Sequence, residues 1–212
     1  MHINEIRGTI LAVLHLAEQL LSVLFWILLI YGFDEPVTAG LTVIAAVIHE
    51  CGHEGYLFFA GARSGRVRGR LFGFGIGGAV KRGYGDEIML YLSGPLANVA
   101  LAAIFFLLRG ALGEYALLGA LLNLVTAASN LLPVEGHDGY GIIRTLLDRH
   151  AAPRALYRVL ESVSFGITVL ACFLALYLLG VTGDGYWIFA VFFSGMLSSM
   201  SKRLKSTKFE NS

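Results

Sequence analysis

The sequence predicts an all-α polytopic membrane protein: six transmembrane helices with a short Gly-rich β-hairpin or re-entrant loop between helices 2 and 3. Three observations carry that expectation. Hydrophobic residues fill 56% of the 212 positions and charged ones 15%, with a mean hydropathy of +0.70, far from the balance of a soluble domain. Six apolar runs, most of them long enough to cross a hydrocarbon core about 30 Å thick, are separated by polar stretches. Lys and Arg collect in some of those stretches and are absent from others, the asymmetry that orients membrane proteins. A net charge of +1 provides no field for nucleic acid, so the expected surroundings are the lipid bilayer and no nucleic-acid partner.

Run one extends from about Thr9 to Phe33 and is interrupted by His15, Glu18 and Gln19. His15 and Glu18 share a helical face and can pair or look into a watery cavity, although residues 9–19 also suit an interfacial helix ahead of a shorter span. With Glu5 and Arg7 ahead of it, the run is a poor signal peptide and is expected to stay as the first span. The acidic connection Asp34-Glu35-Pro36 follows.

Run two, about Val37 to Ala62, carries the chemistry: His49-Glu50-Cys51-Gly52-His53, an H-E-x-x-H pattern. At 3.6 residues per turn, His49 and His53 stack on one face, where two imidazoles can grip one Zn²⁺. Glu50 beside them is placed to take a proton from a water that such a metal acidifies. His49, Glu50, His53 and Glu54 are costly at membrane depth, which argues against an accidental match. Gly52 and Gly55 are expected to let a neighbouring helix approach. Cys51 points away from the two-His face, and Cys51 and Cys172, each in an apolar stretch, read as small buried thiols and not as a disulfide framework.

Between Arg63 and Glu87 the chain turns basic (Arg63, Arg66, Arg68, Arg70, Lys81, Arg82) around Leu71-Phe72-Gly73-Phe74-Gly75-Ile76-Gly77-Gly78-Ala79-Val80. Large apolar residues alternating with glycine read as the hairpin or re-entrant loop, too short to span. Such backbone at membrane depth is tolerated where it lines a protein cavity, so the loop can edge the site. Run three, about Ile88 to Leu108, sets Ser93, Gly94, Ala97 and Asn98 at helical spacing, a face for close packing, with Asn98 as helix-to-helix glue.

Run four, about Tyr115 to Leu132, ends in Asn130-Leu131-Leu132-Pro133-Val134-Glu135-Gly136-His137-Asp138-Gly139, where Pro133 stops the helix and irregular backbone supplies acids and an imidazole. A catalytic zinc site with two His needs a third protein ligand and keeps a fourth position open. Asp138 is the candidate, with Glu135 and His137 as competitors that spacing alone does not exclude. After a basic stretch (Arg144, Arg149, Arg154, Arg158) come run five, about Val159 to Val181, and run six, about Tyr186 to Met200. The basic tail at 202–212 suits contact with anionic lipid.

The loops after runs two and four and the tail hold most of the Lys and Arg, so a multi-pass protein with both termini cytoplasmic is expected. Counted from Val37 at the outer surface, His49 lies about 18 Å deep, past the bilayer centre. Asp138 follows the inner end of run four, so the candidate ligands converge in the cytoplasmic half.

These residues resemble the site-2 proteases, intramembrane zinc metalloproteases. The resemblance rests on His49-Glu50-Cys51-Gly52-His53 and on Asn130, Pro133, Asp138 and Gly139, which fit that family's N-x-x-P-x-x-x-x-D-G pattern. The Gly-rich loop and Gly94-Pro95-Leu96-Ala97-Asn98 extend it over roughly residues 37 to 150, the core of a single domain at 1–201. It implies that His49, His53 and Asp138 bind one Zn²⁺, that Glu50 is the catalytic base, and that Asn130 positions substrate. It also implies that a partly unfolded substrate helix adds as a strand to Phe74, Gly75, Ile76, Gly77 and Gly78. The implied partner is a transmembrane or membrane-associated protein, cleaved within or near the cytoplasmic half of the plasma membrane. Six spans with no room for a PDZ domain are similar in build to the branch of the stage IV sporulation protein FB, without the C-terminal nucleotide-binding domain that branch often carries. The alternatives are an inactive membrane zinc protein that binds partners, against which the intact Glu50 argues, and a zinc transporter, for which His15 with Glu18 is the lone further pair.

Overall fold

The structure, a computed structural model, describes residues 35–61, 66–70, 73–77 and 83–183. Run one with His15 and Glu18, run six, the basic tail, and Gly78, Lys81 and Arg82 in the Gly-rich segment lie outside the described residues.

Helix α1 (Pro36–Phe59) starts where Pro36, which has no N–H to leave orphaned, follows Glu35, whose carboxylate accepts from the Thr38 N–H at 2.9 Å and from its hydroxyl at 3.1 Å. Those bonds, the Thr38 N–H foremost, hold the exposed Glu35 carboxyl below its ordinary range. Strands β1 (Arg66–Arg70) and β2 (Gly73–Gly77) pair antiparallel, with Val67 opposite Ile76 and Gly69 opposite Phe74. Helix α2 (Tyr84–Leu107) begins four residues before the apolar run, because Asp86 and Glu87 in its first turn complement the positive helix end. Pro95 lies inside α2, where its missing N–H leaves the Tyr91 carbonyl without its helical donor. A short turn of helix, α3 (Arg109–Leu112), and Gly113 at φ +60° reverse the chain into α4 (Glu114–Asn130).

Two elements differ from the sequence expectation. Residues 138–149 form a helix, α5 (Asp138–Arg149), so Asp138 is a first-turn helical residue and not part of irregular backbone. It buries Gly139, Tyr140 and Thr145 along one face, a short amphipathic pattern that falls below the apolarity of a span. Helix α6 (Arg154–Thr182) starts five residues before its apolar run and closes on Gly183 at φ +76°, a left-handed cap that glycine adopts without strain.

Helices α1, α2 and α4 pack mutually, α5 lies against α2, and α6 against α5. The packed interior is built of small and polar side chains: Ala39, Ala45, Ala116, Asn98 and Asn123 are fully buried. Bulk lies outside, with Leu107 81% and Phe173 67% exposed. Water would penalise that inversion, whereas lipid tails are as apolar as leucine and leave close backbone packing to drive association. Among the described residues two helices, α2 and α6, are long and apolar enough to cross a membrane. Helix α1 has the same 24-residue length as α2 but carries the polar site, and α4 has 17 residues.

Candidate metal centre

The centre is built where α1 meets α2. His49 and His53, one turn apart, are 6% and 5% exposed, with ring centroids 4.8 Å apart and planes near perpendicular. Their approach to α2 depends on two glycines. A Cβ on Gly52 would strike the Ser93 carbonyl and come within 2.8 Å of the Ala97 Cβ, so α1 rests directly on α2 there. A Cβ on Gly94 would sit 2.5 Å from His53 Nε2 and 2.8 Å from His49 Cε1, inside the space the imidazoles fill. Gly55, expected to share this role, has open space beside it. Gly94→Ala is therefore expected to push both rings off position. Zinc retention should fall more than about 10-fold, at an overpacking cost of about 1–3 kcal/mol, measured by metal analysis and thermal unfolding. Full zinc content in Gly94→Ala would contradict the crowding argument.

Each imidazole is held by its outer nitrogen. His49 Nδ1 lies 2.8 Å from Asn98 Oδ1, and His53 Nδ1 lies 2.8 Å from the Leu90 carbonyl oxygen. Ser93 Oγ donates to that same carbonyl at 2.6 Å and lies 3.3 Å from His53 Nδ1. Both Nδ1 atoms therefore face oxygen acceptors, which places the protons on Nδ1 and leaves lone pairs on both Nε2 atoms.

Asp138 arrives from a shaped connection. The C-terminal end of α4 turns over through Leu131 N–H to the Ala127 and Ala128 carbonyls, Val134 is buried, and the Glu135 N–H donates to Ser164 Oγ of α6 at 2.7 Å. His137 donates from Nδ1 to the Ser129 carbonyl at 2.8 Å, and burial holds its imidazole below the ordinary value despite that bond. Gly139 presses against the Leu131 carbonyl, and no other residue has the room. The carboxylate of Asp138 thus lies at the N-terminus of α5, where the helix dipole favours negative charge.

Three acceptor atoms converge. His49 Nε2 to His53 Nε2 is 3.2 Å, His49 Nε2 to Asp138 Oδ2 is 3.1 Å, and His53 Nε2 to Asp138 Oδ2 is 3.4 Å. Asp138 Oδ2 is buried and receives no hydrogen bond of acceptable geometry, close as the ring nitrogens are. Two lone pairs and a carboxylate oxygen repel one another unless a cation sits among them. Ligand atoms about 2.05 Å from a tetrahedral zinc stand about 3.3 Å apart, which matches this triangle. Among the described residues His49, His53 and Asp138 are the group that could hold a metal ion. Glu135 and His137, the competitors for third ligand, are not in it; Glu135 is exposed and the Nδ1 of His137 is turned to Ser129.

Glu50 is half-buried and lies close to His49, His53 and Asp138. Asn130, the last residue of α4, is half-buried and donates from Nδ2 to the Thr126 carbonyl at 2.9 Å. Cys51 is exposed, against the expectation of a buried thiol, because it faces away from α2; Cys172 is buried. Asn123, absent from the residues that the sequence singles out, is fully buried and donates from Nδ2 to the Gly119 carbonyl at 2.8 Å. A lone amide inside an apolar run was the available signal.

Among solved structures, the Site-2 Protease from Methanocaldococcus jannaschii shares this fold, with a TM-score of 0.54 over 87% of each chain at 20% identity. No protein-family model matches the sequence, and no curated protein does.

Proposed function

We propose that the protein is an intramembrane zinc metalloendopeptidase that cleaves transmembrane or membrane-associated proteins within or near the cytoplasmic half of the bilayer. The observation that carries this reading is the triangle of His49 Nε2, His53 Nε2 and Asp138 Oδ2, three ligand-type atoms that converge at zinc-ligand spacing. A fold shared with a site-2 protease and an apolar exterior support it. His49, His53 and Asp138 would hold the ion, and three protein ligands leave the fourth position for chemistry. Zinc, when bound, supplies Lewis acidity that polarises a peptide carbonyl and acidifies water. Glu50 then accepts a proton from the attacking water and passes it to the departing amine as the C–N bond breaks.

The proposal extends to topology and substrate. Six spans with both termini in the cytoplasm follow from charge placement, and they put the site in the inner half of the membrane. The ribbon β1–β2 is two strands wide, so β2 has no further strand neighbour among the described residues. An unwound substrate segment adds there, along Phe74, Gly75, Ile76, Gly77 and Gly78, with Asn130 holding it near the metal. Six spans with no room in the sequence for a PDZ domain suit the branch of the stage IV sporulation protein FB. The test is reconstitution in liposomes with a single-span protein substrate. Chelation should abolish cleavage, and one equivalent of zinc should restore it. Cleavage that persists after complete zinc removal would end this reading.

A further inference from the structure

Beyond the ligands, a buried amide chain runs from α4 through α2 to the metal face of α1. Asn123 and Asn98 are both 0% exposed, which is unusual for carboxamides among apolar helices. Every polar atom in the chain that bears on its direction is accounted for. Asn123 Nδ2 donates to the Gly119 carbonyl at 2.8 Å, so Asn123 Oδ1 faces the other way, toward Asn98. Asn98 Nδ2 donates to that Oδ1 at 3.0 Å and to the Ala45 carbonyl at 2.8 Å. Asn98 Oδ1 is left for His49 Nδ1 at 2.8 Å.

The direction of this chain is not arbitrary. Backbone carbonyls only accept, so Gly119 and Ala45 each force the adjacent amide nitrogen toward themselves. Turning Asn123 over would set oxygen against the Gly119 carbonyl, and turning Asn98 over would set oxygen against both Ala45 and Asn123. With both amides locked, Asn98 presents an acceptor to His49, the proton of His49 stays on Nδ1, and the lone pair of Nε2 points at Asp138 and His53.

We propose that Asn123 is a positioning residue for the metal centre: acting through Asn98, it selects the His49 tautomer that offers Nε2 to zinc. It touches neither metal nor substrate. The inference rests on the zinc reading above and adds a residue one helix removed from the ligands. His53 is set independently by the Leu90 carbonyl, so the relay acts on His49 alone.

The test compares zinc-loaded wild type, Asn123→Leu and Asn123→Asp, each as the full chain in detergent. Zinc affinity is read by competition with a chelator, and the His49 ring by ¹⁵N NMR, assigned with His49→Gln. Asn123→Leu removes one of the two acceptors that hold the Asn98 amide, leaving the Ala45 carbonyl alone, and zinc affinity should fall about 10- to 100-fold, the range for partners of metal-ligating histidines. Its His49 Nδ1–H resonance should shift and exchange faster. Asn123→Asp, kept protonated by burial, can still donate to Gly119 and accept from Asn98, and should recover most of the affinity. A merely structural role would not restore both signals in the acidic variant and lose both in the apolar one. Wild-type affinity with an unchanged His49 resonance in Asn123→Leu would overturn the inference and leave the zinc reading standing. Should Asn123→Leu not fold, a wild-type spectrum with His49 protonated on Nε2 or metallated on Nδ1 overturns it, and one with Nδ1–H retained together with recovery in Asn123→Asp supports it. A folded wild type that takes up no zinc overturns the zinc reading itself.

Discussion

Glu50→Gln is expected to retain one zinc per chain and to lose cleavage by about 10²- to 10⁴-fold, the range that a positioned general base contributes. The separation of the two effects follows from where Glu50 stands. It lies next to His49 in the chain and near Asp138, yet it is not among the three residues that form the ligand triangle. Glutamine keeps the volume and a hydrogen-bonding oxygen but has no basic carboxylate, so metal and fold persist while proton transfer stops. Zinc analysis and initial rates on a reconstituted substrate measure the two quantities. Loss of zinc together with activity would make Glu50 a ligand or a structural group and remove its assignment as base.

Asp138→Ala should give the complementary result: zinc affinity is expected to fall by more than about 100-fold, exceeding what partners of ligands contribute. The alanine removes the one anionic member of the triangle and leaves two neutral imidazoles facing each other at 3.2 Å. The two former competitors are the controls. Glu135→Ala and His137→Ala should keep their zinc, because the first residue is exposed and outside the triangle and the second is engaged with the Ser129 carbonyl. His137→Ala should cost stability by about 0.5–1.5 kcal/mol, as expected for one net hydrogen bond. Metal content and thermal unfolding of the three variants check this, and zinc loss in Glu135→Ala with retention in Asp138→Ala would reverse the assignment.

Local rules made part of this legible. The pair His49 and His53 can be read from spacing alone, since a four-residue separation on a helix is fixed by geometry. Asp138 is the sequence candidate for third ligand, but spacing alone does not exclude Glu135 and His137, because the choice depends on the path of the 131–137 connection. Contacts distant in sequence settle that path: Glu135 N–H on Ser164 of α6, and Gly139 against Leu131. Helix α5 was missed because its apolar residues cover one face only and reading for spans sees whole-segment apolarity. Gly94 was legible as a small residue for close packing, but its neighbours proved to be the two imidazoles, which a sequence face does not reveal. Asn98 reads as interhelical glue and does bridge to α1 and α4, while its oxygen also orients His49. Gly52 and Gly55 look equivalent in sequence, and only the crossing of α1 over α2 distinguishes them.

The most direct test of intramembrane proteolysis is terminal-peptide mass spectrometry on host membranes, comparing cells that carry the native protein with cells that carry Glu50→Gln. New protein termini inside or next to predicted membrane spans, toward their cytoplasmic ends, are expected with the native protein and not with the variant. Identical sets of termini from the two, with both proteins folded and zinc-loaded, would contradict intramembrane proteolysis.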